Sequence, residues 1–217
     1  MITVLFGGSR PEGNTATLTK QALEGVEHTW VDLTDYRFNP VRDVRHEDSE
    51  IRDYQDDYKE VIDQMLASDI VIFASPIYWY SVSASLKAFI DHWSETLEDP
   101  DYAHFKERLA EIDFRLVIVG GDCPQVKGKP CLKQIEYSLE FLGARLSDSI
   151  IGSAERPGDI YNDRYALDHA ARWNDDLKKL VRFFNINFIS TFTCAAIDCN
   201  SFHNCFLLSC ILFNQLL

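Results

Sequence analysis

The sequence predicts an α/β fold built on a doubly wound parallel sheet. Strand-like apolar runs alternate with helical stripes along the chain, and this alternation is typical of consecutive βαβ units. Three of the runs are almost unbroken in apolar and β-branched residues, as strands are when helices cover both faces of a sheet. The length of 217 residues suits one domain of this kind, whose ligand crevice lies at the carboxyl ends of the strands.

Five short runs are predicted as strands. The first, third and fourth are the apolar runs at residues 2–6, 70–74 and 116–119. Residues 29–33 form a weaker second strand. Residues 146–151 mix apolar with polar side chains, which suits the edge of a sheet because one face there is open to water.

Amphipathic stripes between these runs predict five helices that each bury one face. Apolar residues in each stripe recur mainly at spacings of one, three and four, so they fall on one side of a helix. The stripes are Leu18, Ala22, Leu23 and Val26; Tyr58, Val61, Ile62, Met65 and Leu66; Leu86, Phe89, Ile90, Trp93 and Leu97; Leu132, Ile135, Leu139 and Leu142; and Trp173, Leu177, Leu180, Val181 and Phe184. The fifth helix completes the predicted domain.

The composition changes after residue 184. Residues 185–217 contain a single charged side chain, Asp198, and four of the six cysteines. The apolar stretch 206–213 is much shorter than the ~20 residues of a membrane span. We therefore expect a domain at residues 1–184 and a C-terminal extension at residues 185–217. The extension is either a packing or dimer segment or a read-through without a selected role.

Charge and cysteine content exclude several classes of function. The formal net charge is -13, with 34 acidic and 21 basic residues, and no basic stripe offsets it, so we expect no binding to DNA or RNA. Met1 leads into a short apolar run and then glycine, without the basic region of a secretory signal. The cysteine spacing matches neither a zinc ribbon nor an iron–sulfur run. We expect a cytoplasmic protein with reduced thiols, no metal site and no membrane attachment.

A glycine-rich loop follows the first predicted strand and leads into a helix. It reads Gly7-Gly8-Ser9-Arg10-Pro11-Glu12-Gly13-Asn14-Thr15. Glycines let the backbone approach an anion, and the N-terminus of a helix adds partial positive charge. Ser9, Asn14 and Thr15 add side-chain donors, Arg10 is the local cation, and Glu12 must point away. The loop predicts a phosphate site; the simpler alternative is a strand-to-helix turn capped by Asn14.

Two nucleotide-binding motifs resemble this loop only in part. A P-loop is excluded because no Gly-Lys-Ser/Thr follows. The dinucleotide fingerprint Gly-x-Gly-x-x-Gly does not fit the residues from Gly8 to Gly13. Asp32 lies about 20 residues downstream, where a ribose ligand stands in that motif, so dinucleotide binding stays a weaker alternative.

The third predicted strand ends in an aromatic loop. It reads Ser75-Pro76-Ile77-Tyr78-Trp79-Tyr80-Ser81-Val82-Ser83. Three consecutive aromatic side chains cannot all face one core. In a doubly wound sheet this loop lies beside the first one, so a flat hydrophobic wall adjoins the phosphate site and predicts a planar, phosphorylated ligand. The alternative is that the rings pack as a lid or at a dimer interface.

The two loops together resemble those of the flavodoxin-like NAD(P)H-dependent FMN reductases and quinone reductases. The resemblance rests on the glycine-rich loop and on Ser-Pro-Ile-Tyr-Trp-Tyr-Ser-Val-Ser-Ala-Ser-Leu-Lys-Ala-Phe-Ile-Asp, and it covers residues 1–184. It implies a five-stranded parallel sheet in the order 2-1-3-4-5 with helices on both faces. It also implies noncovalent FMN and a homodimer or higher homo-oligomer.

The resemblance also implies cofactor-binding residues in three loops. They are Ser9, Arg10, Gly13, Asn14 and Thr15 at the phosphate; Pro76, Ile77, Tyr78 and Trp79 beside the isoalloxazine ring; and Gly120, Gly121 and Asp122 in a third loop matched by position. Three positions depart from the family pattern. Gly8 stands where relatives often have serine and Glu12 adds a negative charge, so we expect weaker phosphate affinity. His92 replaces a usual arginine, which alters a helix ion pair.

The implied activity is hydride transfer from NADPH or NADH through bound FMN to a small acceptor such as a quinone or free flavin. This chemistry needs no side-chain acid or base, so we assign no catalytic residue. The alternatives are a flavodoxin-type electron carrier without nicotinamide turnover and a flavin-free regulatory protein on the same scaffold. A thiol redox pair of Cys123 and Cys131 is less favoured than two small buried residues.

Overall fold

One parallel sheet forms the centre of the fold in the computed structural model, which describes residues 1–41 and 55–195, with residues 182–195 described by their backbone alone. Its strands are β1 (Ile2–Phe6), β2 (Thr29–Asp32), β3 (Ile70–Pro76), β4 (Asp113–Gly120) and β5 (Leu146–Ser153). Their order across the sheet is β2-β1-β3-β4-β5, and every pairing is parallel. The predicted flavodoxin-like topology is therefore confirmed.

Helices connect the strands throughout the described residues. They are α1 (Asn14–Ala22), α2 (Tyr58–Leu66), α3 (Ala84–Asp91), α4 (Trp93–Thr96), α5 (Phe105–Glu111), α6 (Pro124–Lys127), α7 (Lys129–Phe141) and α8 (Arg164–Ala195), with 3-10 turns at Pro100–Tyr102 and Asp159–Asn162. Each of the five predicted helical stripes has at least half of its residues on these helices, but Leu23 and Val26 lie beyond the end of α1, Leu97 beyond α4 and Leu142 beyond α7. The helix predicted across residues 86–97 is divided at His92, because the N–H of Glu95 bonds to the His92 carbonyl in a tighter turn.

The hydrophobic core packs on β3 and β4, two of the three strands that have neighbours on both sides. Phe73 and Phe114 are fully buried on them, with ring centroids 5.6 Å apart. Burying a side chain of this size stabilises the fold by about 1.5–3 kcal/mol. Phe105 and Leu109 of α5 join the same core, so α5 contributes its large apolar side chains to packing on the sheet.

The edge strand β5 is mixed in polarity because its polar residues hold α8. The indole N–H of Trp173 donates to Asp148 Oδ2 at 2.7 Å, and His169 Nε2 lies 3.1 Å from the same oxygen. The side-chain amide of Asn174 donates to the carbonyls of Ala22 and Glu24. These bonds attach the first part of α8 to β5 and to the end of α1.

Two compact units divide the chain. The first, Met1–Asn174, contains all five strands, and the second, Asp175–Leu217, begins within α8. The domain boundary at residue 184 stays a prediction, and residues 196–217 of the predicted extension lie outside the described residues. In the described ranges, no helix combines the length and apolarity needed to cross a lipid bilayer.

Candidate functional site

The glycine-rich loop after β1, called the first loop below, and the aromatic loop after β3, called the second loop, meet at the carboxyl ends of these two strands. The strand order reverses here, because β1 pairs with β2 on one side and with β3 on the other. The N–H of Gly7 donates to the Ala74 carbonyl at 2.8 Å, and the Ser85 hydroxyl donates to the Gly7 carbonyl at 3.3 Å. The hydroxyls of Ser9 and Tyr78 lie 3.5 Å apart. The two loops therefore share the crevice where open α/β sheets bind ligands.

Gly7 is required by the close approach of the first loop to α3. A Cβ atom at Gly7 would lie 2.4 Å from Ser83 Oγ and 3.0 Å from Leu86 Cβ. Ser83 is the N-cap of α3, and its hydroxyl accepts the N–H of Leu86. Any larger residue at Gly7 would therefore displace the start of α3, which also ends the second loop.

The first loop presents unpaired donors at the start of α1. The N–H of Gly13 donates to the Arg10 carbonyl at 2.9 Å, which closes a turn. In the part of the chain that the structure describes, the backbone N–H groups of Ser9, Arg10 and Thr15 have no protein acceptor. The Thr15 hydroxyl also has no protein partner there, although Thr15 is only 5% exposed. Donors left free at a helix N-terminus fit a phosphate group.

The charges around this loop suit an anion. The Arg10 side chain is exposed, and it forms no ion pair with any carboxylate in residues 1–41 or 55–181. Glu12 pairs with Lys20 at 3.0 Å, so its negative charge is offset away from the free N–H groups. The expectation that Glu12 points away from the phosphate site agrees with this ion pair.

The side chain of Asn14 bonds to a different part of the chain from the one predicted. Its amide donates to the Arg156 carbonyl at 2.8 Å, and its oxygen accepts the N–H of Gly158 at 3.0 Å. These bonds tie the loop after β5 to the start of α1. The N-cap of α1 is Gly13, so the alternative of an Asn14 cap is wrong. What Asn14 offers to a phosphate is its backbone N–H.

The second loop contains a tight hairpin turn in a strained conformation. Tyr78 and Ser81 exchange backbone hydrogen bonds of 3.0 and 3.1 Å. The two residues between them, Trp79 and Tyr80, have φ angles of 50° and 64°. Left-handed backbone costs about 1–2 kcal/mol for a residue other than glycine, and such strain is concentrated at functional sites. The turn leaves Trp79 94% exposed.

A third loop, after β4, bonds to this hairpin. The hydroxyl of Tyr80 donates to Asp122 Oδ2 at 2.9 Å, and Lys127 donates to both carboxylate oxygens at 2.8 and 2.7 Å. Cys123 next to Asp122 has a φ of 46°. In the described residues, every residue other than glycine with positive φ therefore lies in these two loops.

Hydrogen bonds among Asp122, Tyr80 and Lys127 shift the pKa values of all three side chains. Bonds from Lys127 and then Tyr80 lower the pKa of Asp122 below 3.8. The bond to Asp122 raises the pKa of Tyr80 above its ordinary 10.0 and that of Lys127 above 10.5. At neutral pH the carboxylate and the ammonium are both charged and the phenol is neutral, so Asp122 does not serve as a proton donor.

A cavity of about 200 Å³ lies between the second and third loops. It is lined by Ile77, Trp79, Tyr80, Gly120, Gly121, Asp122, Pro124, Lys127 and Gly128. Gly120 allows the loops to approach, because a Cβ atom there would lie 3.2 Å from Ile77 Cβ. A wider depression of about 630 Å³ at the end of β5 is lined by none of the predicted cofactor residues.

The structure brings the predicted site residues together on the three loops, while their role in binding stays a prediction. Sequence reasoning missed Lys127 and Gly128, because the short helix α6 has no apolar periodicity. Tyr80 belonged to the aromatic run but was not assigned to the site. His92, a predicted departure, is buried and bonded to Glu95 at 2.7 Å, and Asp91 pairs with Lys87.

The cysteines and potential metal ligands whose side chains the structure describes form no reactive centre. Cys131 is buried in α7, and burial raises the pKa of its thiol to about 12. Cys123 is exposed in the third loop. A thiol that stays protonated at neutral pH is a poor partner for a redox pair, so the structure disfavours that interpretation. Among the described residues no His, Cys, Asp or Glu cluster of three or more suits a metal ion.

Comparisons with known proteins agree with this geometry. A family model described as NADPH-dependent FMN reductase matches residues 1–120. YwqN of Bacillus subtilis (strain 168), named as an NAD(P)H-dependent FMN-containing oxidoreductase, is 40% identical over 171 residues, which are 79% of this chain and 94% of YwqN. The solved structure of the Trp repressor binding protein from Bacillus subtilis is 35% identical with a TM-score of 0.65, covering 80% of this chain and 96% of that one.

A more distant structure shares the fold. An FMN-dependent NADH-azoreductase from Bacillus anthracis, solved in complex with FMN, has a TM-score of 0.60 and 11% identity, and the match covers 82% of this chain and 99% of that one. This likeness shows the fold alone. The family model spans more than half of the sequence and includes the first and second loops. With the identity to YwqN, this shows that the chain belongs to the NADPH-dependent FMN reductase family.

Proposed function

We propose that this protein is an FMN-dependent oxidoreductase that passes hydride equivalents from NADPH or NADH through noncovalently bound FMN to a small acceptor, a quinone or free flavin. One observation carries the proposal. The donor-rich first loop and the aromatic second loop are in contact, with the Ser9 and Tyr78 hydroxyls 3.5 Å apart. A phosphate site beside an aromatic wall matches the two ends of FMN.

The residues present fit FMN. The free N–H groups of Ser9, Arg10 and Thr15 and the unpartnered Thr15 hydroxyl would hold its phosphate, with Arg10 offsetting the charge. Gly13 closes the turn that presents these donors, and Asn14 adds its own N–H. The cradle needs no glycine-lysine motif, since the donors come from the backbone.

The second and third loops would hold the ring. Pro76 ends β3 and directs the chain into the hairpin, so that Ile77 and Tyr78 face the crevice end of the sheet. Gly120 and Gly121 leave room for a planar group between the loops, and Asp122 borders that space. FMN, when bound, supplies the hydride chemistry.

The chain's own residues bind, orient and shield in this proposal. None of them is required to move a proton, and Asp122 is held as a carboxylate by Lys127 and Tyr80. The exposed ring of Trp79 offers a flat surface on which a nicotinamide or a planar acceptor can stack.

The decisive measurement is the absorption spectrum of the purified protein before and after anaerobic addition of NADPH or NADH. We expect a yellow protein whose flavin band bleaches with either or both donors and returns when a quinone or free flavin is added. A flavodoxin-type carrier would hold FMN that nicotinamide does not bleach. Protein that takes up no FMN at all would contradict the proposal.

We also propose that the FMN-binding unit comprises residues 1–184 and that it functions as a homodimer or higher homo-oligomer in the cytoplasm. A groove of mixed polarity lined by α3, α4 and α7, beside which Leu97, Tyr137 and Phe141 are exposed, supports an interface between copies. Light scattering after size-exclusion chromatography tests the assembly, and truncation after residue 184 tests the boundary. A monomer, or a truncated chain that does not fold, would contradict the respective part.

A further inference from the structure

Tyr80 has a backbone conformation that disfavours its own side chain. Its φ of 64° is in the region that glycine adopts without cost and that other residues avoid. It stands at the second central position of the Tyr78–Ser81 turn, where Trp79 before it is also left-handed. Backbone strain of this kind persists where the surrounding structure fixes the conformation, and the Tyr80 side chain makes one contact that does so.

The contact is the bond from the Tyr80 hydroxyl to Asp122. This bond is 2.9 Å long and joins residues 42 positions apart in the sequence. Asp122 is itself held by both bonds from Lys127, whose ammonium lies 6.0 Å from the Tyr80 ring centroid. The hairpin of the second loop is thereby linked by one side chain to the third loop.

The link spans the cavity between the two loops. Tyr80, Asp122 and Lys127 all line it, with Ile77 and Gly120 on the same lining. Among the hydrogen bonds of the described residues, the bond from Tyr80 to Asp122 is the direct one between side chains of the Tyr78–Ser81 hairpin and the loop of residues 121–123. Ser81 also donates to Gln134 Oε1 of α7 at 3.0 Å and the Tyr78 hydroxyl lies 3.5 Å from that of Ser9, so the particular role of the Tyr80 bond is to tie the hairpin to the third loop.

We propose that Tyr80 is a positioning residue that fixes the hairpin against Asp122 and so preforms the slot for the isoalloxazine ring of FMN. The proposal rests on the proposed function. Tyr80 acts on the ring end of the cofactor, whereas the first loop acts on its phosphate. Asp122, Tyr80 and Lys127 keep the same protonation states around neutral pH. The bonds between them lower the pKa of Asp122 and raise the pKa values of Tyr80 and Lys127.

Two substitutions distinguish the effect of the Tyr80–Asp122 hydrogen bond from that of the backbone strain at Tyr80. Tyr80→Phe removes the hydroxyl and keeps the backbone cost, while Tyr80→Gly removes both. We expect the dissociation constant for FMN to rise about 5-fold in Tyr80→Phe and about 10-fold or more in Tyr80→Gly, from the net worth of one hydrogen bond and the loss of the held turn. The thermal midpoint of flavin-free Tyr80→Gly should equal or exceed that of wild type, because the strain is gone.

The measurements are fluorescence titration of the flavin-free full chain with FMN and with riboflavin, and thermal unfolding without flavin. The dissociation constants for FMN and for riboflavin should rise by the same factor, because the slot holds the ring that both ligands share. Tyr165→Phe, an exposed tyrosine on α8, is the matched control and should change neither quantity. In the double variant Tyr80→Phe/Asp122→Ala, FMN should bind as in Asp122→Ala alone, because the bond is already lost.

The outcomes separate this inference from the proposed function. Wild-type affinity for FMN in both Tyr80 variants, or a lowered thermal midpoint in Tyr80→Gly with unchanged affinity, would show a merely structural tyrosine and overturn the inference. Fully additive losses in the double variant would overturn the link through Asp122. If the wild-type chain binds neither FMN nor riboflavin, the proposed function itself fails.

Discussion

At the scale of single residues, neighbouring polar side chains of the first loop have different partners. Glu12 pairs with Lys20 and the Asn14 amide bonds to the loop after β5, whereas Thr15 and Arg10 keep their side chains unpaired in the described residues. The donors left for an anion are therefore fewer than the residue types suggest, and most are backbone N–H groups. Arg10 is the cation among them.

Replacing Arg10 tests the phosphate site directly. Arg10→Glu should release FMN, and Arg10→Gln should raise the FMN dissociation constant about 10-fold or more, because a charge-assisted bond to phosphate is worth about 1.5–3 kcal/mol. Riboflavin, which has no phosphate, should bind both variants as it binds wild type. Arg172→Gln, at an exposed position of α8, serves as control. Undiminished FMN affinity in Arg10→Glu would contradict the assignment.

The two cysteines of the folded body should differ in reactivity. The pKa of Cys131 is raised by burial to about 12, so at pH 8 about one thiol in ten thousand is ionised. Alkylation by iodoacetamide followed by peptide mapping should modify the exposed Cys123 within minutes and leave Cys131 unmodified until the protein is unfolded. Equal rates at the two thiols in native protein would show that Cys131 is accessible.

At the scale of secondary-structure elements, contacts between loops and helices determine where each element ends. The predicted helix of residues 86–97 divides at His92, whose imidazole bonds to Glu95 and to the Asn39 carbonyl. The loop after β5 is held at the start of α1 by Asn14. Helix α8 is attached to the edge strand through Asp148, so a polar residue on β5 serves packing.

The attachment of α8 predicts an acid-dependent loss of stability. Burial acts to raise the pKa of Asp148, but hydrogen bonds from Trp173 and His169 outweigh it, and the net result is a pKa lowered from 3.8. The unfolded chain thus takes up this proton at a higher pH than the folded chain. The stabilisation is complete above about pH 3.8 and is lost as the pH falls through the folded pKa.

Asp148→Ala measures this contribution. We expect the free energy of unfolding to fall by about 1 kcal/mol at pH 7, because Asp148 is almost half exposed and its bonds are partly screened. The difference from wild type should shrink at pH 3. Asp168→Ala, an exposed aspartate on the same helix, should have little effect in either buffer. Urea titrations that show the same loss at both pH values would exclude an ionic contribution.

At the scale of the whole molecule, the strand order and the net charge act on the same site. The order β2-β1-β3-β4-β5 places three loops from distant parts of the sequence at one edge of the sheet. The formal net charge of -13 opposes the approach of anions to the molecule as a whole. A phosphorylated ligand must therefore be held by local donors, as the first loop provides.

This charge predicts how ionic strength acts on the proposed turnover. NADPH is a polyanion, and the Debye length falls from about 30 Å at 0.01 M salt to about 10 Å at 0.1 M. The kcat/KM for NADPH should therefore rise about 2-fold to 5-fold over this range, as repulsion is screened. The kcat/KM for an uncharged quinone is the internal control and should stay constant. A fall for NADPH would mean that local cations dominate its approach.

Most of the fold was predictable because apolar periodicity reports burial. Residues 2–6 match β1, and the stripe from Tyr58 to Leu66 matches α2. The short helix α6 and its Lys127 were not predictable, because a four-residue helix has no period. The hydroxyl bond of Tyr80 was equally hidden, since its acceptor Asp122 lies 42 residues away.

The sequence by itself determined the fold class, the family and the two loops of the site, because strand and helix periodicity and the glycine and aromatic motifs are local properties of the chain. Only the tertiary structure decided which donors remain free, where the Asn14 side chain bonds, and that a strained tyrosine joins the second loop to the third. These depend on distances between residues far apart in sequence, which the packing of β1, β3 and β4 sets and no local pattern records.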